Sequence, residues 1–185
     1  MRIVVAITGA TGTIYGVRLL SALKAAHVET DLIVTEAATR VMHIETDYSL
    51  DGVRELATRW HDVEDVGAAI ASGQTAWDAM VIAPCSIRTL SAVTTSNAED
   101  LVVRAADITL KERRHLIALV RETPLHLGHL RLMTSLTEMG GIVMPPVPAF
   151  YSRPKSIDDL VDNTIGRVLD LLGVKNDLTR PWAGA

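Results

Sequence analysis

The sequence has few cysteines and aromatic residues and no excess of positive charge, and each shortage excludes a class of protein. Its 185 residues include one cysteine, Cys85, which cannot form an internal disulfide. Aromatic residues make up only 4% of the chain, so the core must be aliphatic. Lys and Arg number 18 against 22 Asp and Glu, and the net charge of −4 argues against nucleic acid as the main partner.

Long apolar segments are also missing. No apolar run approaches the roughly 20 residues that span a membrane, and the run at residues 3–7 is too short for a signal peptide. We therefore expect a soluble, cytoplasmic protein. The length suits a single domain that covers residues 1–185.

Short aliphatic runs alternate along the chain with amphipathic stretches, which predicts a parallel sheet with helices on both faces. The predicted strands are Arg2–Thr8, Glu29–Thr35, Ala79–Ala83 (closed by Pro84), Leu116–Val120 and Gly141–Met144. The predicted helices are Ile14–Ala25, one from Glu36, Ile87–Thr94, Leu101–Arg114, Leu127–Met139 and Ile157–Leu172. Ligands of such folds bind at the carboxyl ends of the strands, where the chain turns into helices. The turns at these ends are Thr8–Gly12, Thr35–Ala38, Pro84–Thr89, Arg121–Leu125 and Pro145–Tyr151.

The first of these turns is rich in glycine, with Gly9, Gly12 and Gly16 spaced as GxxGxxxG. Glycine lets the backbone turn sharply and bring its N–H groups close to an anion at a helix N-terminus. The spacing differs from the GxGxxG of dinucleotide-binding domains. A phosphate-binding turn and a tight turn without a ligand both fit.

Hydroxyl and charged side chains follow the later strands. Ser86 and Thr89 open a helix and could bind a phosphate or a flavin edge, or Ser86 could be a plain N-cap. Arg121 and Glu122 emerge from a buried strand, where an Arg can bind phosphate and a Glu can transfer protons. On the helix 101–114, Arg104, Asp107 and Lys111 share one face, and Asp107 could pair with either cation.

Other patterns allow further interpretations. Tyr151 and Lys155 have the spacing of a short-chain reductase, but Pro154 favours a loop there. Asp158, Asp159 and Asp162 match a magnesium motif of prenyl synthases, although Ser156 before them favours a capping box. His126 and His129 lack an evident third metal ligand, and Cys85 fits a buried thiol better than a nucleophile.

Taken together, longer segments of the chain resemble the flavin prenyltransferases of the UbiX type over nearly the whole length. The segments are ITGATGTIYGVRLL, APCSIRTLSAV, RAADITLKERR, RETPLHLGHLRLMT, MPPVPAFYSRP and the closing RPW. The resemblance implies a three-layer Rossmann-like, flavodoxin-like α/β fold in a homododecamer with active sites between subunits. It further implies transfer of a dimethylallyl group from dimethylallyl phosphate to N5 and C6 of reduced FMN, without a metal. The product, prenylated FMN, serves UbiD-type decarboxylases.

The resemblance also implies roles for individual residues. FMN is expected to contact Gly9, Ala10, Thr11, Thr35, Ser86, Ile87, Arg88, Thr89 and Arg121. Dimethylallyl phosphate is expected to contact Arg104, Lys111, Tyr151, Arg167 and Trp182. Thr11, Lys111, Glu122 and Tyr151 are the expected catalytic residues, with Glu122 assisting proton transfer.

Two positions depart from the family pattern. Thr11 stands where the family usually has Ser, which keeps the hydroxyl and adds a methyl group. Val66 stands where some members have Trp. The alternatives are an FMN-dependent decarboxylase of the phosphopantothenoylcysteine type, a flavin-binding accessory subunit of an aromatic acid decarboxylase, and a dinucleotide reductase.

Overall fold

A computed structural model describes residues 1–179, and its centre is a six-stranded sheet in the order β3-β2-β1-β4-β5-β6. All neighbouring strands are parallel. The strands are β1 (Arg2–Ile7), β2 (Glu29–Val34), β3 (Arg59–His61), β4 (Ala79–Cys85), β5 (His115–Val120) and β6 (Ile142–Val143). The helices are α1 (Thr13–Ala25), α2 (Glu36–Glu45), α3 (Leu50–Arg54), α4 (Ile87–Thr94), α5 (Leu101–Lys111), α6 (Leu127–Glu138) and α7 (Ile157–Leu171).

The helices cover both faces of the sheet, which confirms the predicted three-layer α/β fold. Strand β1 shows why, since its side chains alternate between two buried clusters. Ile3, Val5 and Ile7 pack on the face covered by α1 and α7, whereas Val4 and Ala6 pack on the face covered by α4 and α5. Both clusters are largely aliphatic, as the scarcity of aromatic residues predicts.

Three short elements were not predicted: α3, β3 and a single 3₁₀ turn at Ala69–Ala71. Strand β3 has the sequence Arg-Trp-His and none of its residues is fully buried, so it has no aliphatic run to reveal it. Its pairing depends on Asp31 of β2, whose fully buried carboxylate binds Arg59 and His61 of β3 and Arg2 of β1. Such a contact between distant residues leaves no periodic pattern in the sequence.

The predicted end of β4 at Ala83 was wrong, because the strand continues through Pro84 to Cys85. Proline lacks an N–H, and the pairing of β4 with β5 is irregular between Ile82 and Cys85. The carbonyl oxygen of Pro84 still accepts a backbone hydrogen bond from the Thr8 N–H (3.3 Å), so the residue remains part of the sheet.

The predicted helix over 101–114 was too long at its carboxyl end, since α5 stops at Lys111. Arg113 has a φ of 58°, a left-handed conformation that a helix does not continue through. The N-terminus of α7 agrees with its prediction, because Ser156 and Asp159 form a capping box. Within residues 1–179, no helix is both long and apolar enough to span a bilayer.

Candidate functional site

Four loops that follow neighbouring strands lie side by side at the carboxyl edge of the sheet. Strands β2, β1, β4 and β5 are adjacent, so the residues just after them share one edge. The backbone confirms this, because the Thr35 N–H donates to the Ile7 carbonyl (3.1 Å) and the Arg121 N–H donates to the Cys85 carbonyl (3.0 Å). The edge gathers the predicted FMN residues Gly9, Ala10, Thr11, Thr35, Ser86, Ile87, Arg88, Thr89 and Arg121.

The glycine turn leads into α1 through Gly12, whose φ of 94° places it in the left-handed region that favours glycine. At this helix N-terminus the exposed carboxylate of Glu45, the last residue of α2, accepts hydrogen bonds from the N–H groups of Gly12 (2.8 Å) and Thr13 (3.4 Å). It also accepts the hydroxyl hydrogen of Thr11. The N–H groups predicted to bind a phosphate therefore bind an internal carboxylate in this structure.

The second loop has the hydroxyl groups that the sequence indicated. Ser86 is the N-cap of α4, and its Oγ accepts from the Thr89 N–H (3.2 Å). The hydroxyl groups of Ser86 and Thr89 also lie 3.0 Å apart. The N-cap interpretation of Ser86 is thus confirmed, and its hydroxyl stays at the carboxyl edge next to the exposed Arg88.

The third loop adds charge of both signs. Arg121 and Glu122 follow β5 directly, and Glu122 accepts a hydrogen bond from the Thr123 N–H (3.0 Å). Burial raises the pKa of the Tyr15 phenol, and the positive charge of Arg121 acts against that increase. Tyr15 lies in the first turn of α1, so this interaction links Arg121 to the helix that follows the glycine turn.

The predicted phosphate-binding residues are not gathered at this edge. Lys111 is the last residue of α5, and the chain continues from it to the amino end of β5. Its Nζ forms an ion pair with Glu112 (2.5 Å). Arg121 follows the carboxyl end of β5, and the six residues of this strand span about 20 Å. Within one chain, Lys111 and Arg121 therefore lie at opposite edges of the sheet.

Other predicted phosphate ligands are also dispersed. Arg104 pairs with Asp107 (3.4 Å) and donates from Nε to the Ala71 carbonyl (3.2 Å), so Asp107 holds only one of the two cations considered. Arg167 lies in the third turn of α7 and pairs with Asp170 (2.8 Å). Tyr151 lies about half exposed in the loop 144–156, and Trp182 lies outside the described residues.

Two other interpretations are answered by the geometry. Tyr151 and Lys155 lie in a loop and not on a helix, as Pro154 predicted. Cys85 is buried, and burial raises the pKa of its thiol to about 12, which does not suit a nucleophile.

The two metal-like patterns have structural roles. Asp159 belongs to the capping box of α7, and Asp158 and Asp162 both pair with Arg18 of α1. His126 caps α6 by accepting from the Gly128 N–H and stacks on His129, with ring centroids 3.6 Å apart. Among the described residues, no three His, Cys, Asp or Glu side chains come together as a metal site.

Three residues at this edge were not predicted as site residues: Glu45, Tyr15 and Thr8. Glu45 is 34 positions from Thr11, and no motif joins the two. Thr8 had a usable signal, because it is the first polar residue after a buried aliphatic strand. Its side chain is 1% exposed, and its hydroxyl binds the loop after β4.

The donor set at the carboxyl edge fits a flavin mononucleotide. Gly9 leaves no room for a side chain, since a Cβ there would lie 2.4 Å from the Cβ of Ala37, so the glycine turn packs closely against the start of α2. The Ser86 and Thr89 hydroxyl groups and the Arg121 guanidinium add the donors that a phosphate or a flavin carbonyl accepts.

Comparisons with known proteins agree with this geometry. The model of the flavoprotein family matches residues 1–169. The flavin prenyltransferase UbiX of Thauera aromatica is 54% identical over 184 residues, covering 100% of this chain and 95% of the relative.

Two solved structures share the fold along the whole chain. The crystal structure of AnUbiX (PadA1) with FMN and dimethylallyl pyrophosphate has a TM-score of 0.98 and 44% identity, covering 100% of this chain and 98% of that chain. A dodecameric FMN-dependent UbiX-like decarboxylase from Escherichia coli O157:H7 has a TM-score of 0.97 and 42% identity, with both chains covered completely. The chain described here therefore belongs to the flavoprotein family and, within it, to the UbiX flavin prenyltransferases.

Proposed function

We propose that this chain transfers a dimethylallyl group from dimethylallyl phosphate to N5 and C6 of reduced FMN. The observation that carries the proposal is the convergence of the glycine turn, Ser86–Thr89 and Arg121–Glu122 at one sheet edge. The complex of AnUbiX with FMN and dimethylallyl pyrophosphate supports the same pair of ligands. We further propose that the product passes to a UbiD-type decarboxylase, and that the chain acts in the cytoplasm.

The flavin-binding part of the site is proposed to lie within one chain. Gly9, Ala10, Thr11 and Thr35 would contact FMN from the ends of β1 and β2. Ser86, Ile87, Arg88 and Thr89 would contact it from the start of α4, and Arg121 from the end of β5. Bound FMN supplies the ring atoms that accept the dimethylallyl group.

The chain's own side chains would assist departure of the phosphate. Breaking an allylic C–O bond leaves a phosphate that needs positive charges or proton donors. The positive charges would come from Arg104, Lys111, Arg121 and Arg167. Tyr151 and Trp182 would complete the donor site, and no metal would be needed. Glu122 lies beside Arg121, where its carboxyl group can hold or release a proton during this step.

Thr11 is proposed as the catalytic hydroxyl beside the flavin. Its hydrogen is donated to Glu45, so its oxygen lone pairs remain available to a bound molecule. A carboxylate in this position can also accept a proton through the Thr11 hydroxyl. We therefore add Glu45 to the proposed catalytic group.

The separation of Lys111 from Arg121 supports active sites between subunits. If both residues act on one phosphate, they must come from different copies of the chain. Exposed apolar side chains lie near the carboxyl edge on α6, in the loop 144–156 and at the start of α7, including Leu127, Phe150 and Ile157. Such a surface suits burial against further copies, and we propose the dodecamer seen in the Escherichia coli relative.

The alternative activities predict different products. A cysteine decarboxylase would oxidise a thiol substrate, and an accessory subunit would bind flavin without changing it. A reductase would transfer hydride from NADPH. The placement of Tyr151 and Lys155 in a loop argues against the last of these.

The test is anaerobic incubation of the purified chain with reduced FMN and dimethylallyl phosphate, followed by mass spectrometry of the extracted flavin. We expect a flavin heavier by one C5H8 unit. Unmodified FMN after binding would contradict the transfer and favour a flavin-binding subunit. A parallel reaction with dimethylallyl pyrophosphate decides which donor is used.

A further inference from the structure

Thr8 joins two of the loops at the carboxyl edge through its side-chain hydroxyl. The Oγ1 atom donates a hydrogen bond to the Pro84 carbonyl (2.8 Å) and accepts one from the Ser86 N–H (2.9 Å). The Thr8 N–H also donates a hydrogen bond to the Pro84 carbonyl (3.3 Å). The side chain is 1% exposed, so water does not compete for these bonds.

These bonds stand where the sheet loses its regular pairing. The register between β1 and β4 ends at Ala6 and Ile82, and Pro84 has no N–H to donate. The Thr8 hydroxyl bridges this gap, because it binds the residue before Cys85 and the residue after it. The two loops are therefore joined by the Thr8 hydroxyl together with one backbone bond, from the Thr8 N–H to the Pro84 carbonyl.

Both loops bind flavin in the proposed function, on which this inference rests. Gly9 follows Thr8 directly. Ser86 is the N-cap of α4, and its hydroxyl group forms a hydrogen bond with that of Thr89. We propose that Thr8 is a positioning residue that fixes the distance and orientation of the glycine turn relative to the Ser86–Thr89 segment. Its hydroxyl donates one hydrogen bond and accepts another inside the protein. Thr8 therefore acts through the segments that it joins and does not touch the reacting atoms.

The effect also extends to the third loop. The Cys85 carbonyl, between the two partners of Thr8, accepts from the Arg121 N–H. A shift of residues 84–86 would therefore move Arg121 as well. Loss of the Thr8 hydroxyl should weaken flavin binding and disturb the flavin's surroundings, beyond any loss of stability.

The test compares Thr8→Val, which removes the hydroxyl at nearly constant volume, with Thr8→Ser, which keeps it. Thr109→Val is the matched control, because Thr109 of α5 is also fully buried. Its hydroxyl donates to the Ala105 carbonyl (2.7 Å) and accepts from Trp77 Nε1 (3.1 Å). The measurements are the FMN dissociation constant by fluorescence quenching, the visible absorption spectrum of bound FMN, and the melting temperature without FMN.

We expect Thr8→Val to weaken FMN binding about tenfold, as loss of a buried hydrogen-bonding partner would. Its bound FMN should show an altered spectrum, Thr8→Ser should bind within about twofold of the wild type, and Thr109→Val should melt earlier with unchanged FMN affinity. Wild-type affinity and spectrum in Thr8→Val would overturn the proposal. So would a Thr8→Ser variant as weak as Thr8→Val, because packing and not the hydroxyl would then matter.

If Thr8→Val does not fold, Thr8→Cys takes its place, since its thiol keeps the volume but forms only weak hydrogen bonds. Reduced FMN affinity then supports the proposal and wild-type affinity contradicts it. The titration needs only FMN, so a wild type that binds FMN without alkylating it refutes the proposed function and leaves the Thr8 comparison valid. A wild type that binds no FMN refutes both.

Discussion

The carboxylate of Glu45 accepts the hydroxyl hydrogen of Thr11, although 34 positions of the chain separate the two residues. The same carboxylate binds the Gly12 N–H at the start of α1, so Glu45 fixes both the turn and the direction of the Thr11 hydroxyl. Glu45→Gln removes the charge but keeps an acceptor oxygen. We expect its prenylation rate to fall by about a hundredfold, at the lower end of the effect that a lost acid–base group produces.

The control for this variant is Glu36→Gln, at the other end of α2, where the exposed Glu36 pairs only with Arg40 among the described residues. It should react as the wild type does. A double-mutant cycle with Thr11→Val adds a sharper test, because residues that act as a pair are not additive. Additive losses in single-turnover rate would contradict a joint role of Glu45 and Thr11.

Glu122→Gln should slow prenylation while FMN stays bound. Glu122 is exposed at the end of β5, and within residues 1–179 its side chain accepts a hydrogen bond only from the neighbouring Thr123 N–H, so its replacement leaves the fold intact. The expected fall is about a hundredfold, from loss of proton transfer. Single-turnover mass spectrometry measures it, with the exposed Glu138→Gln as control. Unchanged turnover would remove the proposed role.

Asp31 should make the stability of the fold sensitive to acid. Burial by itself would raise the pKa of Asp31, but hydrogen bonds from His61, Arg2 and Arg59 lower it far below its usual range. A carboxyl whose pKa is lowered by folding stabilises the protein above its unfolded pKa of about 4 and loses that contribution as the pH falls below it. The free energy of unfolding should therefore decrease in that window.

The variant Asp31→Asn checks this assignment by urea denaturation. At pH 7 we expect a loss of about 3 kcal/mol, because the cations that face Asp31 lose their buried partner. Between about pH 4 and pH 3, Asp31→Asn should show a weaker pH dependence than the wild type. The exposed Glu29, which also pairs with Arg59, gives the control Glu29→Gln. An equal acid dependence in Asp31→Asn and the wild type would contradict the assignment.

The sequence predicted those features that local patterns encode. The aliphatic runs predicted five of the six strands, and Ser156 before the aspartates predicted the capping box of α7. Strand β3 was missed because its pairing depends on the distant Asp31. The end of β4 was misplaced because the strand continues through Pro84, whose carbonyl accepts a hydrogen bond from the hydroxyl of Thr8, the residue after β1.

The site residues also divide into those that a local pattern predicts and those that only the folded chain brings together. Residues directly after predicted strands, such as Ser86 and Arg121, could be identified because parallel strands end at one edge. Glu45 could not, since it comes from the far end of a helix and only folding brings it to Thr11. The role of Lys111 and Arg167 in binding phosphate was indicated by resemblance alone, and one copy of the chain does not bring them to the carboxyl edge.

Mixed oligomers should reveal whether the active site joins different copies of the chain. Lys111→Ala and Arg121→Ala should each be inactive alone if both residues act on one phosphate. In an oligomer co-assembled from the two variants, about a quarter of the sites would combine Arg121 of one copy with Lys111 of another, because assembly is random. Activity should therefore return to about that fraction of the wild type.

The matched control combines Arg121→Ala with Glu122→Gln. These residues are neighbours at the end of β5, so each site takes both from the same copy. Each site in that mixture then lacks one of the two residues, and its activity should not rise above that of the separate variants. Equal activity in the two mixtures would contradict a site shared between copies. Full activity of Lys111→Ala alone would instead remove Lys111 from the mechanism.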